Sequence, residues 1–256
     1  MSQKMGEPDY SVILPAFNEE GFLPLSLPRL FAAMDQVDLC GEVIVVDNNS
    51  TDLTAQIASE LGATVVFEKI NQISRARNKG AEVARGRYFV FLDSDTLVSP
   101  ELLQKSLELL SHKKAIGGGS LLTCEGVKIG DKPNKGVRLW NWVSVTLNLA
   151  AGSFIFVSRE AYQQSGGFST LLFAGEEINF SKKIKRIGRK QGLKFVIIKD
   201  HPIETSMRKL DWYSNWQIAR MWAIIFIFPF VLYSSKLLPF WYHRPDDPIQ
   251  PEKRQD

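Results

Sequence analysis

Two cysteines in 256 residues, Cys40 and Cys124, are too few and too far apart for a disulfide framework or a thiolate metal site. They point to reduced structural thiols in a cytosolic setting. Charge of one sign is also scarce: 31 basic residues against 28 acidic ones leave a net charge of +3, too small for a dedicated nucleic-acid binder. The N-terminal MSQKMGEPDY lacks the apolar core of a secretory signal, so the body of the chain is expected on the cytoplasmic side. No apolar run reaches the roughly 20 residues that a bilayer-spanning helix needs, and the stretch Trp222 to Tyr233 falls short of it and contains Pro229. Neither Gly-x-Gly-x-x-Gly nor Gly-x-x-x-x-Gly-Lys-Ser/Thr follows any strand-like segment, which disfavours the ordinary dinucleotide and P-loop sites.

What is present is a regular alternation of strands and helices in a chain long enough for one large domain, or one domain with an appended segment. Val12-Ile13-Leu14 reads as a first strand ended by Pro15, with Asn18-Glu19-Glu20 after it. A helix follows, with Leu23, Leu27, Leu30, Phe31 and Met34 roughly on one face; Pro24 suits its start, and Pro28 is expected to kink it or delay its onset. Glu42 to Val46 is the second strand, running into Asp47-Asn48-Asn49, after which Ser50 or Thr51 is placed to cap a helix ended at Gly62. Thr64 to Phe67 is the third strand, and Ile73 to Ala84 a helix stopped near Gly86. Tyr88 to Leu92, five aromatic or strand-favouring residues, is a buried central strand that ends abruptly in Asp93-Ser94-Asp95.

This β-α-β-α-β-α-β series predicts a mostly parallel, helix-covered sheet. Right-handed crossovers put Asn18, Glu19, Asp47 and Asp93 on one edge, the carboxyl edge at which such sheets bind ligands. Paired carboxylates there suit a hard cation such as Mg²⁺ or Mn²⁺ and, through it, a phosphate. Taken alone, an Asp-x-Asp after a strand fits a solvated turn at least as well.

Farther along, Ser99-Pro100 opens another helix, and Ala115 to Leu122 is a strand whose Gly117-Gly118-Gly119 signals close backbone approach or a bulge. Thr123 to Lys135 is loop-like; Trp140 and Trp142 precede a helical pattern through Leu149, as core residues or as a stacking surface for an acceptor. Ala150 to Ser158 leads into a strand, and Ala161 to Phe168 is a short helix closed by Gly166-Gly167. Glu176-Glu177 opens a helix toward Ile187 that Gly188 is expected to end. The helix dipole favours carboxylates at that start, and one of them is also a candidate base.

In this order and spacing, VILPAFNEE (Val12 to Glu20), EVIVVDNNSTD (Glu42 to Asp52), RARNKGA (Arg75 to Ala81), FLDSDT (Phe91 to Thr96), SFIFVSREAYQQSGGF (Ser153 to Phe168) and AGEE (Ala174 to Glu177) resemble the family 2 glycosyltransferases. The resemblance implies the GT-A fold: a Rossmann-like, mixed, mostly parallel sheet flanked by helices. It spans roughly Tyr10 to Lys209, and a catalytic domain over 1–210 is expected, followed by an apolar helical segment over 211–256. It further implies transfer of one sugar from a UDP- or GDP-sugar to a hydroxyl acceptor, a glycan or a lipid, with inversion and with Mg²⁺ or Mn²⁺. Pro15, Phe17 and Glu19 would line the base and ribose, and Asp47 would meet a base edge. Arg75, Arg77, Asn78 and Ser94 would lie near the donor. Asp93 and Asp95 would hold the metal, with His201 as a third ligand and Arg208, or alternatively Lys209, on the pyrophosphate. The family's acid pair is usually Glu-Asp; here it is Glu176-Glu177, which makes Glu177 the expected base, one methylene longer in reach.

The aromatic stretch Trp212 to Tyr242 leaves three readings: interfacial attachment at the inner face of the plasma membrane, burial against the body or in a homodimer contact, and a spanning helix, in that order of preference. Lys182, Lys183, Lys185, Arg186, Arg189, Lys190 and Lys194 would add attraction to anionic lipid, or form a solvated helix face. Gln217 to Trp222 resembles the Gln-x-x-Arg-Trp motif of processive relatives with the tryptophan one place late, so a single transfer is expected. The competing readings are a sugar nucleotidyltransferase, for which no basic triphosphate loop follows the first strand, and a non-catalytic scaffold that binds nucleotide sugars.

Overall fold

The computed structural model describes residues 7–124, 135–206, 216, 220 and 228–238. Its centre is an eight-stranded sheet with the order β3-β2-β1-β4-β7-β6-β8-β5. The strands are β1 (Tyr10–Ala16), β2 (Gly41–Asp47), β3 (Thr64–Phe67), β4 (Tyr88–Leu92), β5 (Thr96–Leu97), β6 (Ala115–Cys124), β7 (Phe154–Ser158) and β8 (Lys194–Thr205). β1, β2, β3 and β4 pair in parallel, as the helical crossovers require. Beyond β4 the sheet is mixed: β7 runs antiparallel to β4 and β6, β8 parallel to β6, and β5 antiparallel to β8.

Among the described residues the α-helices packed about the sheet are α1 (Leu23–Met34), α2 (Thr54–Glu60), α3 (Ile73–Val83), α4 (Pro100–Ser111), α5 (Lys135–Leu147), α6 (Arg159–Ser165) and α7 (Glu176–Gln191). The strand alternation sorts the core into two layers. Val12, Leu14, Val43 and Val45 pack with leucines of α1 and α4 on one face. Ile13, Ile44, Val46, Phe89 and Phe91 pack with Ala76, Phe180 and Ile184 on the other. Each such side chain, fully removed from water, contributes about 1.5–3 kcal/mol.

Several local readings need correction. Pro28 lies inside α1 and does not delay it; the helix starts at Leu23 with Pro24 in its first turn. Neither Ser50 nor Thr51 caps α2; the Asp52 carboxylate accepts the Thr54 N–H instead. Gly188 does not end α7, which runs to Gln191 and stops at Gly192 in the left-handed conformation. Gly188 is glycine because a Cβ there would lie 2.6 Å from the Leu193 carbonyl oxygen. Gly118 is the same case on β6, where a Cβ would meet the Val196 oxygen at 2.0 Å. His201, the expected third metal ligand, lies within β8. Of the stretch Trp212 to Tyr242, only residues 216, 220 and 228–238 are described, and 228–238 form two short 3-10 turns. Among the described residues, no helix is long and apolar enough to cross a membrane.

Candidate active site

The carboxyl ends of β1, β2 and β4 lie together, because Ala16 pairs with Asp47 and Ile13 with Phe91 in register. The two loops that leave β1 and β2 are sewn to each other. Asn18 N donates to Ser50 Oγ (3.0 Å), Glu19 N to Thr54 Oγ1 (2.7 Å) and Glu20 N to Asp52 Oδ2 (3.2 Å). In return, Thr51 N donates to Asn18 Oδ1 (2.8 Å) and Leu53 N to Glu20 Oε2 (2.9 Å). Asn18 and Asn49 hold positive φ of 52° and 67°, a conformation asparagine tolerates better than most residues. Pro15, Glu19 and Asp47 are buried on this edge and Phe17 is half-buried. Asp47 Oδ1 accepts the Ser50 N–H at 3.0 Å, which folds the turn after β2 back on itself.

A second group of residues forms on the other side of β4. Arg77, on α3, is 1% exposed. Its Nη1 donates to Glu176 Oε1 at 2.9 Å, and its Nη2 donates to Asp93 Oδ1 at 3.0 Å and to the Gly152 carbonyl at 2.9 Å. The guanidinium carbon lies 5.2 Å from the centre of the Phe168 ring. Arg77 therefore joins the end of β4 to the first residue of α7. Asp93 keeps part of its carboxylate toward solvent, being 23% exposed. Ser94 and Asp95 are buried in the turn that follows.

One guanidinium here faces three carboxylates. Burial opposes charge on Arg77, but Asp93, Glu176 and Glu177 outweigh it and hold its pKa above the ordinary arginine value. Burial, reinforced by the Glu177 carboxylate, pushes Glu176 up to about 8 despite the ion pair with Arg77. Glu177 is half-buried, and desolvation raises its pKa as well. The pair therefore holds a proton that an exposed carboxylate would release.

Arg75 Nε donates to Gln72 Oε1 at 2.9 Å. Asn78, expected near the donor, works instead as a clip: its Oδ1 accepts from Tyr162 Oη (2.8 Å) and Phe168 N (2.9 Å), and its Nδ2 donates to Phe168 O (2.9 Å). His201 does not join Asp93 and Asp95. Between Ile198 and Ile203 β8 bulges out of register with β6, and His201 lies in that bulge, on the α4 side. There its Nε2 lies 3.7 Å from Asp200, which is paired with Lys105 of α4. Arg208 and Lys209 lie outside the described residues.

Among the described residues, no group of three or more His, Cys, Asp or Glu side chains is placed to share a metal ion. The acids still fit a Mg²⁺ or Mn²⁺ of the kind that takes one or two carboxylates and completes its shell with water and substrate phosphates. Asp95 lines a shallow cleft between α1 and the β5–β8 pair, together with Phe22, Ser26, Arg29, Glu204 and Ser206.

Residues 11–166 match the family model described as Glycosyl transferase family 2. The chain belongs to this family. A dolichol-phosphate mannosyltransferase of Pyrococcus furiosus is 32% identical over 52% of this chain and 35% of its own length. The putative teichuronic acid biosynthesis glycosyltransferase TuaG of Bacillus subtilis is 31% identical over 48% of this chain, which spans about half of that relative's length, 51%. In structure, the mannosyltransferase PcManGT of Pyrobaculum calidifontis, solved with GDP-Man and Mn²⁺, matches 96% of this chain and 67% of its own, with a TM-score of 0.61 at 20% identity. TarS of Staphylococcus aureus, solved with UDP, matches 78% of this chain and 60% of its own at 0.58 and 18%. The expected GT-A fold is thus the observed one.

Sequence reading missed the residues that fasten the candidate site from behind. Asn48 accepts from Gln72 N (2.9 Å) and donates to the carbonyls of Glu68 (3.2 Å) and Ile70 (2.6 Å). Gln72 in turn donates to the Thr170 and Leu172 carbonyls, each at 2.9 Å. A small amide after a strand is the only local signal for the first, and the second has none, since its partners are about a hundred residues away.

Proposed function

We propose that this chain transfers a single sugar from a nucleoside-diphosphate sugar to a hydroxyl acceptor with inversion, using Glu177 as base. The observation that carries the reading is the Arg77 bridge, which ties Asp93 at the strand edge to Glu176 and so sets Glu177 beside the donor edge. The sewn loops after β1 and β2 offer a rigid wall for base and ribose through Pro15, Phe17, Glu19 and Asp47. Asp93 and Asp95 would hold Mg²⁺ or Mn²⁺, which when bound offsets the charge of the diphosphate leaving group. Ser94 and Arg75 stand at the same edge, and Arg208 is the proposed pyrophosphate partner in the following segment.

The acid pair supplies the proton chemistry. A carboxylate raised toward neutrality is a better proton acceptor than an exposed one. Glu177 takes the acceptor hydroxyl proton as that oxygen attacks the anomeric carbon. The bond from that carbon to the donor phosphate breaks on the opposite side, so the configuration inverts. Glu176, fixed by Arg77, holds the first turn of α7 in place while this happens.

Calorimetric titration with UDP-, GDP- and dTDP-sugars in the presence of Mn²⁺, followed by turnover with each binder, tests the reading. The Glu177→Gln variant should bind the same donor as wild type and lose transfer by about 10²–10⁴-fold. Transfer at the wild-type rate removes Glu177 from the mechanism.

A further inference from the structure

Residues 228–238 carry several exposed large apolar side chains. Val231 (5% exposed) and Leu238 (0%) are sunk into the body, whereas Phe228 (49%), Phe230 (63%), Tyr233 (59%) and Leu237 (51%) face water. The Phe228 and Phe230 rings meet edge-on at 5.8 Å and form one continuous patch. Single exposed apolar residues are ordinary on a soluble surface, but three aromatics within six positions, on a segment pinned by two aliphatic anchors, are not. The segment contains an exposed lysine, Lys236, and no acidic residue.

Its position relative to the acid pair is fixed. Phe173 N donates to Leu232 O at 2.7 Å, so the patch is fastened by its backbone to the 170–173 loop. That loop carries Leu171, 71% exposed, and is held on its other side by Gln72 at the start of α3. Three residues past Phe173 the chain reaches Glu176 and Glu177. Whatever covers the patch therefore sits at the rim of the acceptor side.

We propose that this platform docks on a bilayer surface containing anionic headgroups, and that the acceptor is carried by a lipid of that bilayer. Aromatic side chains with a nearby cation have the composition of the headgroup zone, where rings rest at the interface and basic groups meet lipid phosphates. Exposed Trp216 and Arg220 repeat that chemistry in the chain just before the platform. The docking itself is independent of the transferase reading; the lipid-borne acceptor rests on it.

Sedimentation of the full chain with sucrose-loaded vesicles tests the proposal, using phosphatidylcholine alone and phosphatidylcholine mixed with phosphatidylglycerol. The wild type should pellet with the mixed vesicles, more weakly with phosphatidylcholine alone, and less at high salt. The triple variant Phe228→Ser, Phe230→Ser, Tyr233→Ser should partition at least about tenfold less, since each ring contributes on the order of 1 kcal/mol when half its surface leaves water. Lys236→Glu, an exposed change that leaves the anchors intact, should weaken binding to the mixed vesicles only, which keeps the test decisive if the triple variant is destabilised. Mn²⁺-dependent binding of UDP or GDP should stay at its wild-type level in both. A wild type that does not sediment, or variants that sediment as wild type does, overturns the docking. So does a concentration-dependent dimer that the triple variant abolishes without any vesicle binding. Failure of the wild type to bind any nucleotide counts instead against the transferase reading and leaves the vesicle result standing.

Discussion

The two sides of β4 solve the same problem, holding a ligand edge rigid, by different means. On the β1–β2 side, neighbouring loops exchange five hydrogen bonds between backbone amides and small polar side chains. On the β7–α7 side, a buried guanidinium holds Asp93, Glu176 and the Gly152 carbonyl, and its own Nε has no hydrogen-bond partner among the described residues. The first arrangement rests on several backbone donors and is redundant, suited to presenting a fixed surface. The second depends on one charged residue, which makes it costly to disturb; it gathers acids whose proton affinity burial raises against the pull of the guanidinium.

The largest effect on that contrast is expected from Arg77→Ala. Removing the cation strands two carboxylates in a buried site and should lower stability by about 3–5 kcal/mol, read from urea unfolding at neutral pH. A loss below 1 kcal/mol would mean that the guanidinium does not hold the two halves together. Glu176→Gln probes the same cluster through pH. Because the folded-state pKa of Glu176 is raised from 4.5 to about 8, the folded protein keeps a proton that the unfolded chain gives up, so its contribution is full below pH 4.5 and is lost as pH rises through about 8. The wild type should lose stability progressively across that window, and the glutamine variant should show a flatter profile. Parallel profiles would contradict the raised value. On the β1–β2 side, Thr54→Val removes the hydroxyl that accepts the Glu19 amide and should cost about 1 kcal/mol in thermal or urea unfolding, with Arg77-side behaviour unchanged. A cost as large as that of Arg77→Ala would erase the distinction between the two sides.

The same contrast decides what the sequence made legible. Tyr88–Leu92 and Thr64–Phe67 have the boundaries read from local pattern, and the parallel order of the first four strands follows from their helical crossovers. The Asp47 and Asp93 strand ends fall on one edge for the same reason. Residues whose roles depend on distant partners were not legible. Asn78 reads like a polar residue on a donor-facing helix, yet its partners Tyr162 and Phe168 lie 84 and 90 residues on. Gly188 reads like a helix stop, but the helix continues because that position packs against the Leu193 carbonyl. His201 follows an apolar run with no local sign of what comes after it, and only the pairing of Ile203 and Thr205 with Leu122 and Cys124 shows that β8 resumes past the bulge that holds the imidazole.

The central claim is that the edge formed by Asp93 and Asp95 binds a nucleoside diphosphate through a divalent cation. Calorimetry of UDP and GDP binding, with and without Mn²⁺, to the wild type and to Asp95→Ala tests it most directly. The account predicts that one nucleotide binds the wild type in the presence of Mn²⁺, that chelation weakens it, and that Asp95→Ala remains folded but binds at least about tenfold more weakly, the loss of one charge-assisted contact. Equal binding by both proteins, with or without the metal, would contradict it.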